Sequence, residues 1–121
     1  MTAYEIIKEI EDHLAYSKGR WWSSHYIGIT DAPEHTLFEY HKIHKDNHWY
    51  IYEDADNKQE AEKARDYFLK KGMRGNTYDV IGKKYYVYCY EVTPKTLEYE
   101  PFGYKPFSKK QPKQIVLGER S

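Results

Sequence analysis

Four side chains in this 121-residue sequence have the chemistry of an anion site: Tyr26, His41, Arg65 and Arg74. A tyrosine hydroxyl can steer a water, an imidazole can move a proton near neutral pH, and a guanidinium grips a phosphate or carboxylate with forked N–H donors. Tyr26 and His41 frame the run "YIGITDAPEHTLFEYH", and Arg65 stands within "EAEKARDYFLKKG". There Ala61, Ala64, Phe68 and Gly72 form an apolar stripe at helical spacing, with Arg65 in the middle of it. Burying an isolated cation costs several kcal/mol. Arg65 must therefore pair with a carboxylate, such as Glu62 or an acid on a neighbouring element, reach water past its own stem, or face a groove that takes anions.

Other reactive residues form weaker patterns. His35, His41, His44 and His48 make a local excess, and His41 and His44 can share a helix face as metal ligands sometimes do. Without an H-E-x-x-H or a cysteine pair they are expected to be packed or solvated, and no metal is assigned to them. Cys89, the single cysteine, cannot form an internal disulfide, and within "YYVYCYEV" it reads as a small buried apolar residue. No serine follows the nucleophile-elbow pattern, and Gly72, Gly75 and Gly82 read as turn glycines with no phosphate-loop spacing.

The elements that must position these residues are expected in the order α-β-α-β-α-β. Thr2 and Glu5 have the spacing of a capping box, followed by a stripe of Ala3, Ile7, Ile10 and Leu14 that fades toward Gly19. "WWSSHYIGIT" reads as a strand that hands over to a helix opened by Asp31, Pro33 and Glu34 and fading at "HKDNH". "WYIYED" is a second strand. A third helix, "NKQEAEKARDYFLKKG", has Asn57 and Glu60 as a second capping box and Gly72 to end it. "MRGNTYDVIGKK" is turn-rich, and "KKYYVYCYEVT" is a strand apolar on both faces, expected to be central or covered on both sides. Residues 1–93 are thus expected to form one domain. The stretch from 94 to 121 holds four of the five prolines and forms an arm in which Phe102, Tyr104 and Phe107 are interleaved with lysines. Such an arm can wrap the domain, bind a protein partner, or stack bases.

Nineteen basic and nineteen acidic residues cancel, so no whole-molecule field draws the chain to nucleic acid or to an anionic membrane. Any such binding must be local. No stretch approaches the ~18 apolar residues of a membrane span, and the lone cysteine fits a reducing compartment, so a cytoplasmic protein without a membrane partner is expected.

The strand, turn and helix of "HYIGITDAPEHTLFEYH", the following "EAEKARDYFLKKGM" and the "GN" at Gly75-Asn76 together resemble the GIY-YIG nuclease superfamily over about residues 25 to 90. The resemblance implies a small α+β fold around a three-stranded antiparallel sheet and metal-dependent DNA cleavage. Three departures bear on that activity. No upstream GIY strand is present, Thr36 stands where the family has a helix arginine, and Arg65 stands where it has a metal-binding glutamate. A hydroxyl cannot replace a permanently charged fork, and a guanidinium cannot ligate a cation. The expected function is a catalytically inactive domain in which Tyr26, His41, Arg65 and Arg74 bind an anionic ligand such as a DNA or RNA backbone, with no cofactor. One alternative is a protein-interaction or structural domain using the carboxyl arm or exposed tyrosines. Another is a divergent endonuclease with Mg²⁺, in which Tyr26 acts on water, His41 moves a proton and Glu60 or Glu62 holds the metal.

Overall fold

In the computed structural model, residues 1–96 are described except Asn47, Asn76 and Tyr78. The aromatic, lysine-rich part of the expected carboxyl arm, from residue 97 onward, lies outside the described residues. Helix α1 (Ala3–Leu14) opens on the expected capping box: the Thr2 hydroxyl accepts from the Glu5 amide and the Glu5 carboxylate accepts from the Thr2 amide. Its buried stripe is Ala3, Ile6 and Ile10, with Ile6 in the place expected of Ile7.

The expected strand "WWSSHYIGIT" divides in two. Trp22–Ser24 is a 3₁₀ turn, and strand β1 is His25–Thr30. After β1 the chain enters a helix whose turns widen to π type over His35–Tyr40, closed by the His41 amide donating to the Thr36 carbonyl. The entry is capped locally: the Thr30 hydroxyl accepts from the Ala32 amide and bonds the Thr36 hydroxyl at 2.8 Å, both threonines being buried. Lys42 then takes a left-handed turn (φ 62°), so that Ile43 returns to the core.

Strand β2 (Tyr50–Ala55) leads to helix α2 (Lys58–Lys71). Asn57 caps α2 by accepting from the Glu60 amide, but the reciprocal half of the expected box is missing. The Glu60 carboxylate accepts instead from the Ala3 amide at 2.7 Å, tying the start of α1 to the start of α2. Gly72, at φ 113°, ends α2 in a conformation that few residues other than glycine adopt.

A two-residue strand, β3 (Arg74–Gly75), lies within the segment expected to be only turns, and β4 (Tyr85–Glu91) follows. The sheet order is β2-β4-β1-β3. β4 is antiparallel to both β1 and β2, while β3 pairs parallel with β1. The fold is therefore α+β around a four-stranded mixed sheet, where three antiparallel strands were expected. The fourth strand exists only as a short addition to β1.

Alternation along the strands gives the sheet two faces. Ile27, Ile51, Ala55, Val87 and Cys89 point to α1 and α2, meeting Ile6, Ile10, Ala61, Ala64 and Phe68. Full burial of each Ile, Val or Phe contributes about 1.5–3 kcal/mol, which makes this layer the main hydrophobic support of the fold. Cys89 is buried as expected, and burial pushes its thiol pKa up, away from any nucleophilic role. Tyr26, Tyr88 and Tyr90 point to the opposite face, where Leu37 and Ile43 cover them.

Candidate functional site

The tyrosine face is built on register. Tyr26 on β1 sits opposite Tyr90 on β4, which in turn sits opposite Tyr50 on β2; Gly28 sits opposite Tyr88. The Tyr88 ring lies across Gly28, where an added Cβ would come within 2.5 Å of the ring and its hydroxyl. The glycine of "YIG" thus makes room for Tyr88 to reach His41. At the end of the π-helical segment His41 bonds Tyr88 through Nε2 and Tyr90 through Nδ1, each at 2.9 Å. A neutral imidazole has one donor and one acceptor, and a hydroxyl can serve either. The Tyr26 ring packs on His41 with centroids 4.9 Å apart. His41 is 0% exposed and Tyr26 3%. These groups hold polar bonds inside a packed core.

Arg65 extends from α2, which is layered on the other face of the sheet. It is 6% exposed, and its Nε donates to the Asp66 carboxylate at 2.9 Å. A carboxylate was expected to pair with it, Glu62 or an acid on a neighbouring element; Asp66, the adjacent residue, is one such partner. Arg74, the register neighbour of Tyr26, is exposed on the edge strand and donates through Nε to the Ser23 carbonyl. The structure thus joins Tyr26 to His41, sets Arg74 beside Tyr26 along the backbone, and carries Arg65 on a separate layer. His44 and His48 pair with each other on the surface, the His44 amide donating to His48 Nδ1. Among the described residues no group of three or more His, Cys, Asp or Glu is placed to hold a metal ion.

The contact of Arg74 with Ser23 marks a surface that inspection of single motifs did not reveal. Two segments meet there. Trp22 packs on Phe68 of α2 with centroids 6.2 Å apart, and β3 pairs with β1. Residues 13–30 and 67–75 include no Asp or Glu, yet they carry Lys18, Arg20, Lys70, Lys71 and Arg74. All five cations are exposed. Acidic groups enter from neighbouring segments: Glu11 accepts from the Tyr67 hydroxyl, and Glu91 is the register partner of His25. The two segments thus carry five exposed cations and no acid of their own, and they are bordered by Glu11, Asp66 and Glu91. The signal legible in the sequence was the absence of acids from both segments.

Beneath this surface, His25 anchors the turn. Its Nδ1 faces the Trp21 carbonyl at 3.0 Å and must donate, which leaves Nε2 to accept from the Ser17 hydroxyl at 2.7 Å. Burial lowers the His25 pKa below 6.5, against the opposing pull of the Trp21 carbonyl and Glu91. Because the folded-state pKa is the lower one, the unfolded chain takes up the proton first as pH falls. The stabilising contribution of neutral His25 is complete above the unfolded value of 6.5 and is lost progressively below it. Urea unfolding should show lower stability at about pH 5.5 than at about pH 7.5, with a smaller difference in His25→Gln. An unchanged difference in that variant would assign the pH dependence elsewhere.

No helix among the described residues is long and apolar enough to cross a membrane. Comparison with protein-family models, with curated proteins and with solved structures finds no match for the chain.

Proposed function

We propose that this chain is a non-catalytic nucleic-acid-binding domain, with a core similar to that of the GIY-YIG nucleases, that meets the phosphate backbone through the surface where its two acid-free segments come together. The observation that carries the reading is that two acid-free segments bearing the exposed Lys18, Arg20, Lys70, Lys71 and Arg74 meet, in a molecule with zero net charge, through the Arg74–Ser23 bond and the Trp22–Phe68 contact. In this reading the longer strands β2, β4 and β1 correspond to the family's three-stranded antiparallel sheet. Tyr26-Ile27-Gly28 keeps the YIG position with a structural task, since its tyrosine supports His41 and its glycine accommodates Tyr88. Thr36 and Arg65 occupy the positions of the missing arginine and glutamate, and their side chains bond Thr30 and Asp66. Arg74 makes the ligand contact at the edge, while Tyr26 and His41 are buried and Arg65 lies on the other layer. No cofactor is required.

Counterion release supplies the test. If all five cations meet phosphates of a single strand, the log–log salt dependence of affinity should have a slope as steep as about −3.5, and the double variant Arg20→Ala, Arg74→Ala should flatten it by about 1.4. The same protein supplied with Mg²⁺ should leave plasmid uncut. No binding at about 50 mM salt would remove the proposal, and cleavage lost in Tyr26→Phe would replace it with the nuclease alternative.

A further inference from the structure

The basic edge also carries exposed aromatic rings, and phosphate contacts alone do not account for them. Trp21 is 67% exposed and Trp22 37%. A tryptophan covers a large apolar area, so leaving most of Trp21 in water beside the partly covered Trp22 is unfavourable unless a partner uses it. The Arg20 guanidinium lies 5.8 Å from the Trp21 ring centroid, placing a cation beside a π face. Behind them Leu14, Gly19 and His25 join Arg20, Trp21 and Trp22 around a cavity of about 360 Å³. That size lies within the range of small-ligand pockets.

Resting on the nucleic-acid reading above, we infer that the ligand is single-stranded, with a base stacked on Trp21 beside Arg20 while Arg74 and the lysines at the end of α2 meet the flanking phosphates. Charge complementarity selects the polyanion. The exposed indole selects a strand whose bases are unpaired, because a duplex keeps its base faces stacked internally and offers this edge only phosphates and grooves. The ring positions are held by the protein itself. Trp22 packs on Phe68, and the carbonyl of Trp21 is fixed by His25, so the indole is presented on a braced turn. Recognition of this kind is tolerant of sequence, since every base has a π face.

Fluorescence anisotropy with a labelled oligothymidine of about 20 nucleotides, a mixed-sequence RNA strand of equal length and the matching DNA duplex tests this directly. Both single strands should bind more tightly than the duplex. Trp21→Ala should weaken single-strand binding roughly 5- to 150-fold, Trp21→Phe should restore most of it, and duplex binding should change little in either. Trp21 is exposed, so circular dichroism of the variants should match the parent. Equal, salt-dependent affinity for single strand and duplex, unchanged in Trp21→Ala, would overturn the single-strand inference and leave the backbone reading standing. Single-strand preference that survives Trp21→Ala would also overturn it. Absence of binding to any of the three probes at low salt would overturn both.

Discussion

Replacing His41 with alanine should destabilise the fold by about 3–5 kcal/mol, a large share of the 5–15 kcal/mol that holds a typical domain together. Two contributions combine. The imidazole is fully buried between Tyr26, Tyr88 and Tyr90, and its removal leaves a cavity in the tyrosine layer. It also bonds both the Tyr88 and Tyr90 hydroxyls, each of which loses a partner in the interior. Tyr88→Phe removes one of those bonds while keeping the ring, and should cost less, about 1–2 kcal/mol. Urea unfolding of the three proteins measures the series. A His41→Ala protein as stable as the parent would mean that the cluster is not structural. Tyr26 and His41 would then return to consideration as an open site.

Gly28→Ala is the second large effect, expected at about 1–3 kcal/mol, because a methyl group there enters the space of the Tyr88 ring. The loss cannot be relieved by moving a flexible tip, since the Tyr88 hydroxyl is held by His41 and its backbone lies in the central strand. Displacing the ring weakens the bond to His41, so the Gly28→Ala and His41→Ala effects should fall short of additive when combined. Additive losses would separate the glycine from the histidine cluster and weaken the explanation given for the YIG position.

Much of the scaffold was legible because its signals are local. Thr2 and Glu5 are three residues apart and make the box their spacing allows, and Gly72 terminates α2 where the lysines end. β4, apolar on both faces, does lie between two strands. What the sequence concealed depends on distant partners. Glu60 has the spacing to close a box with Asn57, but the Ala3 amide, 57 residues away, takes its carboxylate. Arg74–Gly75 becomes a strand only by resting against β1, since two residues carry no periodicity of their own. A helix does follow β1, but Thr30 caps its entry where Asp31 was expected to, and its π widening accompanies a buried Thr30–Thr36 bond that helical spacing does not signal. Trp21 and Trp22 were absorbed into a strand because aromatic runs favour one, while the structure uses Trp22–Ser24 as a 3₁₀ turn against α2. The proposed edge depends on distant partners in the same way: Arg74 reaches the Ser23 carbonyl, 51 residues away, within the turn that carries Trp21 and Trp22.

The division between a structural tyrosine face and a binding edge is tested most directly by amide chemical-shift mapping of the full chain titrated with oligothymidine at low salt. Shifts concentrated in Lys18–Ser24 and Lys70–Gly75, weakening as salt is raised, are the predicted result. Shifts centred on Tyr26, Leu37, His41 and Tyr88 would place the ligand on the tyrosine face, and an unchanged spectrum would deny the binding itself.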